Sequence, residues 1–301
     1  MRYCIYFTWK DGTRDSINVD SAKERDLNIK DMLDRDEFSH ISYCPIYNSG
    51  EYGMEKVVLE PKKTYFVIAD VHSFYDEMIE ALNEAGFDKK NPDHVFVHCG
   101  DLLDRGPDAV KCLEYVNSLE RKILIKGNHE DLLEDILFHK KWFDAYDFHN
   151  GTVDTISQLS GITLGKEING YVIFAMIQEC SRNEALKEYL KSVINYAEIG
   201  DYIIVHGWIP LEHVWGGTYK VPENWKEGDW NEARWFNGMK MWKRGCTLEG
   251  KTIVCGHWST RWGHERYSNT ISNDTFERDG IIALDATTVL SKKVNVFVFE
   301  A

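Results

Sequence analysis

Apolar and polar positions along this chain fall into a pattern that recurs five times. Tyr65-Phe66-Val67-Ile68-Ala69 runs into Asp70-Val71-His72, and Val95-Phe96-Val97 runs into His98-Cys99-Gly100-Asp101-Leu102-Leu103-Asp104-Arg105-Gly106. Ile123-Leu124-Ile125 leads to Lys126-Gly127-Asn128-His129-Glu130, Tyr202-Ile203-Ile204-Val205 to His206-Gly207, and Thr252-Ile253-Val254-Cys255 to Gly256-His257. Short β-prone apolar runs that give way to a reactive loop, most of them at a glycine, predict buried strands. Each delivers Asp, Asn or His at its carboxyl end, where open α/β sheets carry their ligands. Asp101, Asp104 and Arg105 lie within five residues. A divalent metal for the carboxylates and a phosphate for the guanidinium is the simplest arrangement that leaves no charge uncompensated.

Helical spacing fills the intervals. Phe74 to Ala85 places Met78, Ile79 and Leu82 on one face with Gly86 as its stop, and Asp108 to Leu119, Glu130 to Phe138 and Leu186 to Tyr196 follow. Regular alternation of strand and helix over residues 61–301 predicts an α/β sandwich. Ile281 to Asp285 and Val294 to Phe299 are expected as two antiparallel strands closing its second sheet. Residues 1–60 read as a small separate α+β extension. Its strands are Tyr3 to Trp9 and Ser16 to Val19 around a turn at Lys10-Asp11-Gly12. A charged helix from Ser21 carries Leu27, Ile29, Met32 and Leu33, and short strands lie near Ile41 to Tyr47 and Glu55 to Leu59. No chemistry is evident there, and its use as an edge extension or a partner-selecting module stays open.

Composition narrows the classes. In 301 residues, 43% hydrophobic and 13% aromatic, a sizeable core is available. A net charge of -14 argues against broad electrostatic binding to nucleic acid or an anionic membrane. An anionic substrate must therefore be drawn in locally. The seven cysteines are scattered singly, the opening apolar run is too short for a signal peptide, and no later stretch is long enough to span a bilayer. A cytoplasmic protein with reduced thiols is the expectation. Eight of the ten tryptophans lie from Trp208 to Trp262, a segment in which regular signals are sparse, and core and lid packing is the first reading of it.

In order and spacing, Asp70-Val71-His72, Gly100-Asp101-Leu102-Leu103-Asp104-Arg105-Gly106, Gly127-Asn128-His129-Glu130, His206-Gly207 and Gly256-His257 resemble the calcineurin-like metallophosphoesterases. Within them the chain is similar to the phosphoprotein phosphatase group and its bacterial branch, which includes diadenosine tetraphosphatases. The turn Phe148-His149-Asn150-Gly151-Thr152, with Thr155, resembles that branch too. The resemblance implies a two-sheet β-sandwich flanked by helices. It assigns Asp70, His72, Asp101, Asn128, His206 and His257 to two divalent ions, and the residue types agree. Asp70 and His72 are two apart and can point the same way, and Asp101 has two oxygens with which to bridge. Imidazole and oxygen donors without thiolate suit manganese first, with iron or zinc as alternatives.

A pair of ions about 3.5 to 4 Å apart generates a bridging hydroxide that attacks phosphorus. His129 is then expected to protonate the leaving oxygen, with Asp104 fixing its tautomer. Arg105 and Asn128 are expected on the substrate. The resemblance also implies a second phosphate-binding arginine, for which Arg234 is the candidate and Arg244 and Arg261 the alternatives. His98 is expected to face the sheet interior. Two departures stand out: Trp258 follows His257 where the family has threonine, and Ala286-Thr287 stands where the bacterial branch has Thr-Gly. Three functions follow: a phosphatase of phosphoserine or phosphothreonine proteins, a hydrolase of dinucleoside polyphosphates or other nucleotides, and a non-catalytic phosphoprotein-binding relative. The first is preferred on Arg105, His129 and Asp104. Phosphoprotein or small phosphate ester is the expected partner, with no membrane.

Overall fold

The computed structural model describes residues 2–10, 14–21, 23–24, 27–28, 30, 32, 38–46, 62–163, 165, 169–214 and 218–301. They fall into two compact units, Met1–Lys63 with Glu300–Ala301, and Thr64–Phe299. In the first, β1 (Arg2–Trp9) pairs antiparallel with β2 (Arg14–Val19) and β3 (Phe38–Ile46), in the order β2-β1-β3. Tyr3 faces Val19 on one side and Pro45 on the other, and the register shifts between Thr8 and Trp9. The expected Lys10-Asp11-Gly12 turn and the Glu55 to Leu59 strand lie outside the described residues, as do Ile29 and Leu33.

The second unit opens with β4 (Thr64–Ile68), α1 (Tyr75–Glu84), β5 (His94–His98), α2 (Ala109–Ser118), β6 (Lys122–Ile125) and α3 (Asn128–Glu134). A π-helical turn over Asp135–Lys140 extends α3, and α4 (Ala145–Asn150), α5 (Thr152–Ser160), α6 (Gly170–Arg182) and α7 (Glu184–Ser192) follow. Then come β7 (Val193–Ile194), β8 (Ala197–Ile199), β9 (Tyr202–Ile204), β10 (Glu212–Val214), β11 (Thr218–Lys220), α8 (Trp230–Ala233), α9 (Gly238–Lys243) and β12 (Thr252–Cys255). The chain closes with α10 (Thr260–Ser268), β13 (Phe276–Arg278), β14 (Ile281–Ala283), α11 (Thr288–Ser291) and β15 (Phe297–Glu300).

Two five-stranded sheets result, ordered β15-β4-β5-β6-β7 and β13-β14-β12-β9-β8. Strands β4 to β7 are parallel, and so are β9, β12 and β14. The Ile281 strand thus joins the second sheet parallel to β12, whereas the strand expected at Val294 to Phe299 is β15 and borders β4 in the first sheet. Those two runs share no pairing. Both put a side chain into the layer between the sheets, Ile282 from one and Phe299 from the other, and the sequence pattern is blind to which sheet a closing strand joins.

Why the runs are apolar without alternation is now plain. Val67, Ala69, Val97 and Ile125 meet Ile204, Val254, Ile282 and Leu284 between the sheets, while Phe66, Ile68, Phe96 and Leu124 pack under the helices. On the other flank Ile203, Val205, Ile253 and Ile281 lie under Trp208, Trp225, Trp230, Phe236 and Met239. Burying both faces contributes about 1.5–3 kcal/mol for each large side chain and fixes the strand ends that carry the site. α1 illustrates the helical layer. Met78 and Leu82 turn inward, Asp76 and Glu77 sit at its positive end, and Gly86 at φ 84° lets the Phe87 amide return to Leu82 O at 2.9 Å. Among the described residues no helix is long and apolar enough to cross a membrane.

Candidate active site

Every motif of the repeated pattern emerges at the carboxyl end of a parallel strand: Asp70 and His72 after β4, Asp101 to Arg105 after β5, Asn128 and His129 at the start of α3 after β6, His206 after β9 and His257 after β12. Loop-to-loop bonds seam these ends together. The Asp70 and His72 amides donate to Gly100 O and Asp101 O at 3.2 and 3.0 Å, and the Gly256 amide donates to His206 O at 2.8 Å. Space is tight. A methyl group on Gly127 would lie 2.1 Å from Asp101 Oδ1, and one on Gly256 2.1 Å from Asp70 Oδ2. Asp70, His72, Asp101, Asp104, Arg105 and His257 all take left-handed backbone, with φ between 50° and 73°. Such conformations cost of order 1–3 kcal/mol each and persist where the surroundings over-determine them.

Asp101 stands at the centre. Its Oδ1 is 3.4 Å from His206 Nε2 and accepts from the His129 amide at 3.0 Å; its Oδ2 is 3.9 Å from His72 Nε2 and from His129 Nε2. The ligand atoms of His72, Asp101 and His129 all fall within 4.8 Å of one another, as do those of Asp101, His206 and His257. His206 Nε2 also lies 2.8 Å from Asn128 Oδ1. Both Asp70 oxygens receive the His257 amide, at 3.0 and 2.9 Å. All of these except His257 are almost wholly buried.

The histidine ring faces are assigned by their neighbours. Carbonyl oxygens only accept, so His72 Nδ1 donates to Leu103 O at 3.0 Å and His206 Nδ1 to Cys99 O at 2.7 Å. Their Nε2 atoms are thereby aimed at Asp101, which is how carbonyl groups behind a metal-binding imidazole orient it. Charge in the cluster is unbalanced. Burial, then the charge of Asp285, holds Asp70 well above the usual carboxylate range. Burial likewise pushes Asp285 up to about 6. His206 is raised to about 10, its burial outweighed by Asp101. A carboxyl retaining its proton beside an imidazole gaining one means that positive charge is in short supply, and the oxygen and imidazole donors present suit divalent cations.

His129 faces the same cluster from α3. Its Nδ1 sits 2.7 Å from Asp104 Oδ2, and its Nε2 lies 3.1 Å from Arg105 Nη2. Burial lowers its basicity, but Asp101 and the Asp104 hydrogen bond outweigh burial and raise it. Asp104 is itself anchored by Thr152 and Thr155, which follow the Asn150-Gly151 turn. Thr152 Oγ1 donates to Asp104 Oδ2 at 2.6 Å, and the Asp104 amide donates to Thr155 Oγ1 at 3.0 Å. The His149-Asn150-Gly151 turn is the joint between α4 and α5, where Gly151 at φ 81° leaves room for the Arg105 backbone.

Glu130, the last residue of the Gly127-Asn128-His129-Glu130 motif, supports the neighbouring loops. Its carboxylate accepts from the amides of Gly127, Asp101 and Leu102 at 2.7, 2.9 and 3.1 Å and from Tyr189 Oη at 2.8 Å. Asp285 carried a readable signal, because Ile281-Ile282-Ala283-Leu284 ends in an acid as the five other runs end in a ligand. Thr287 supplies an amide to Asp285 Oδ1 at 2.6 Å, and Thr288 Oγ1 donates to Asp70 O at 3.0 Å.

Arg234 is placed differently from its expected role. Its guanidinium grips Asp131 at 2.6 and 3.2 Å, Asn195 Oδ1 at 2.9 Å and Asn231 Oδ1 at 2.5 Å, and among the described residues it makes no hydrogen bond to the cluster. Asp131 sits three residues past Asn128 on α3, and its carboxylate captures the arginine. Arg261 pairs with Glu265 at 2.7 Å. His98 is fully buried, accepts the Gly100 amide at 3.2 Å, and is pulled down to about 3 by burial.

The sequence profile described as calcineurin-like phosphoesterase matches residues 63–281. The chain belongs to the calcineurin-like phosphoesterase family. Among its relatives is a bis(5'-nucleosyl)-tetraphosphatase of Bacillus velezensis, asymmetrical in its cleavage by name, 35% identical over 210 residues that make up 64% of this chain and 76% of that one. The protein of the same name in Halalkalibacterium halodurans is 25% identical over 196 residues, 54% and 74% of the two chains. A solved serine/threonine phosphatase of Saccharomyces cerevisiae superposes with a TM-score of 0.42 at 14% identity, covering 79% and 80%. As a calcineurin-like phosphoesterase the chain is a metal-dependent phosphoric ester hydrolase, and the Asp101-centred cluster, from His72 to His257, lies within the matched residues.

Proposed function

We propose that Asp70, His72, Asp101, Asn128, His206 and His257 hold two divalent ions, manganese first, and that the chain hydrolyses phosphate esters there, with His129 as proton donor. The observation that carries this is the convergence of five strand ends on Asp101, with His129 backed by Asp104 on the same cluster. Such ions supply Lewis acidity, neutralising charge on the phosphoryl group and acidifying water.

The chain's own residues do the rest. Asp104 accepts the Nδ1 hydrogen of His129, which leaves Nε2 as the face that delivers a proton to a departing oxygen. In the resting site Arg105 Nη2 covers that Nε2 at 3.1 Å. A phosphoryl group entering between them takes over the guanidinium, which binds its oxygens as a fork. Asn128 offers a neutral amide beside His206. Arg234 contributes by tying α3 to Asn195 and Asn231 rather than by gripping phosphate.

For the substrate, the phosphoprotein reading rests on His129, Asp104 and Arg105 alone. The nucleotide reading has those same groups and two further supports: relatives named bis(5'-nucleosyl)-tetraphosphatases, and exposed tryptophans beside His257. We therefore place nucleotide phosphates first. The test is turnover by purified protein loaded with manganese, iron or zinc, using phenyl phosphate, a phosphoserine peptide and a dinucleoside tetraphosphate. Hydrolysis that disappears on chelation and in Asp101→Asn is expected. A folded protein that binds these ions yet hydrolyses none of the three would overturn the reading.

A further inference from the structure

Tryptophans in the second half of the unit divide into two sets. Trp208, Trp225 and Trp230 are buried under β9 and β12, as core packing predicts. Trp235 and Trp258 are not: they are 51% and 40% exposed, although burying them would be strongly favourable. Their rings flank His257, at centroid distances of 5.7 and 6.4 Å. Trp262 backs Trp258 at 6.0 Å. Together with Tyr219, Lys240 and Arg244 these residues line a cavity of about 490 Å³. That is within the range of small-molecule sites.

The charge of this cavity is as distinctive as its walls. In a chain of net charge -14, no carboxylate lines it among the described residues. Lys240 and Arg244 are exposed, and neither has an acidic partner among the described residues. Arg244 stands 5.5 Å over the Tyr219 ring, a geometry that leaves its N–H groups free for an anion. Flat aromatic walls beside a metal-type ligand, with two unpaired cations on the rim, call for a ligand that is planar at one end and anionic along its length. A nucleotide has that form, since every base offers a π-face to an aromatic side chain.

We propose that this cavity is a nucleobase subsite: the base lies against Trp235, Trp258 or Trp262, Arg244 and Lys240 meet the phosphates, and the terminal phosphoryl group reaches the Asp101 cluster. The proposal rests on the phosphohydrolase reading only for where the reacting phosphate goes. The cavity itself stands on its own residues. Recognition is by stacking and charge, so purine nucleotides are favoured over pyrimidine ones by stacking area and no single base is demanded.

Binding and turnover test it separately. Calorimetric titration of metal-free protein with AMP and with ribose 5-phosphate, which has the phosphate but lacks the base, is expected to show AMP binding at least about tenfold tighter, the value of one base stacking on an aromatic ring. Arg244→Met, which removes a phosphate contact common to both ligands, is expected to weaken the two alike, whereas Trp235→Leu and Trp258→Leu, at the two exposed ring walls, are together expected to erase that preference. In manganese-loaded protein the two tryptophan substitutions should lower the kcat/KM ratio of a nucleoside tetraphosphate over inorganic tripolyphosphate by a similar factor. Equal affinity for AMP and ribose 5-phosphate, or a preference that survives both tryptophan substitutions, overturns the subsite. Preferred hydrolysis of a phosphoserine peptide over nucleotides also overturns it. If no ester is turned over while AMP binds in the variant-sensitive manner, the phosphohydrolase reading falls and the subsite stands.

Discussion

The two sheets of the larger unit make the same kind of strand end but are covered in different ways. Over β4, β5 and β6 lie regular helices whose Leu, Ile, Val and Met side chains fill one continuous core. Over β9, β12 and β14 lie short helices and long connections pinned by Trp208, Trp225 and Trp230. The helical side carries the proposed ion ligands Asp70, His72, Asp101 and Asn128, with Arg105 and His129 facing the phosphoryl group and Asp104 behind His129. Its partner supplies His206 and His257 and, next to them, the aromatic cavity. Regular packing is the safer support for chemistry that tolerates little displacement, whereas long connections can differ in shape without disturbing a strand. Rate should therefore be set mainly from one sheet and choice of substrate mainly from the other.

Asp101→Asn is the most damaging way to test that division, because Asp101 belongs to both ligand groups and its loss cannot be confined to one sheet. Removing the shared charge forfeits several kcal/mol of charge stabilisation. At 1.36 kcal/mol per factor of ten this is about a thousandfold or more in kcat. Metal analysis should show fewer than two ions per chain, and every substrate should lose rate alike. If Asp101→Asn kept two ions and half its activity, Asp101 would not be the centre.

His129→Asn comes next and is confined to the helical side. Loss of a general acid costs about 10²–10⁴-fold. The loss should depend on the leaving group: large for a serine ester, whose alkoxide leaves badly unprotonated, and small for a phosphoanhydride, whose leaving phosphate needs little help. Metal content should stay at the wild-type value. A uniform loss over both leaving groups would show that His129 acts through the metals and not as a proton donor.

How much of this was legible beforehand follows from the physics of each element. Asp70, Asp101, Asn128, His206 and His257 were readable because a strand buried on both faces is largely apolar, so polar residues within the first few positions past its end stand out. Asp285 obeys the same rule and could have been read. Thr152 and Thr155 were marked only by the turn they follow, and Tyr189 could not be read: it reaches the site from a helix, where a residue aimed at a distant carboxylate looks like any other position of the 3.6-residue period. The placement of Arg234 was hidden for a related reason. Its partner Asp131 sits on α3 far back in the chain, and only the fold brings the two within 2.6 Å. The place of β15 beside β4 depends on closure of the sheet, a long-range pairing that no local pattern encodes.

Tyr189→Phe probes the support beneath the chemistry with a milder change. Tyr189 is fully buried, and its hydroxyl is one of four donors to Glu130, the other three being the amides that shape the Asp101 loop. Removing a hydrogen bond to a charged group costs about 1.5–3 kcal/mol. A lower melting temperature is expected, with kcat down less than tenfold for all substrates and their ratio unchanged. A changed ratio would break the separation between the two sheets.

The effect that vanishes at neutral pH comes last, and it lies wholly within the helical side. His98 is buried on β5 and held at about 3, well under the 6.5 of an exposed imidazole, and its Nε2 has no partner among the described residues. Burial is the cause. As pH falls from 7, the unfolded chain takes up this proton near 6.5 while the folded chain refuses it until about 3. The unfolded state then binds more protons, so stability drops with falling pH, by up to about 1.4 kcal/mol per pH unit for one such group. Above 6.5 the group contributes no slope. His98→Asn keeps an acceptor near the Gly100 amide but cannot titrate. Urea unfolding of the metal-free variant should therefore show a shallower fall between pH 6 and 4 than the parent, by about one proton, while the two are parallel at pH 7 to 8. Equal slopes below pH 6 would mean that His98 is hydrated in the folded protein, and that the β5 edge of the helical core is less tightly sealed than its packing indicates.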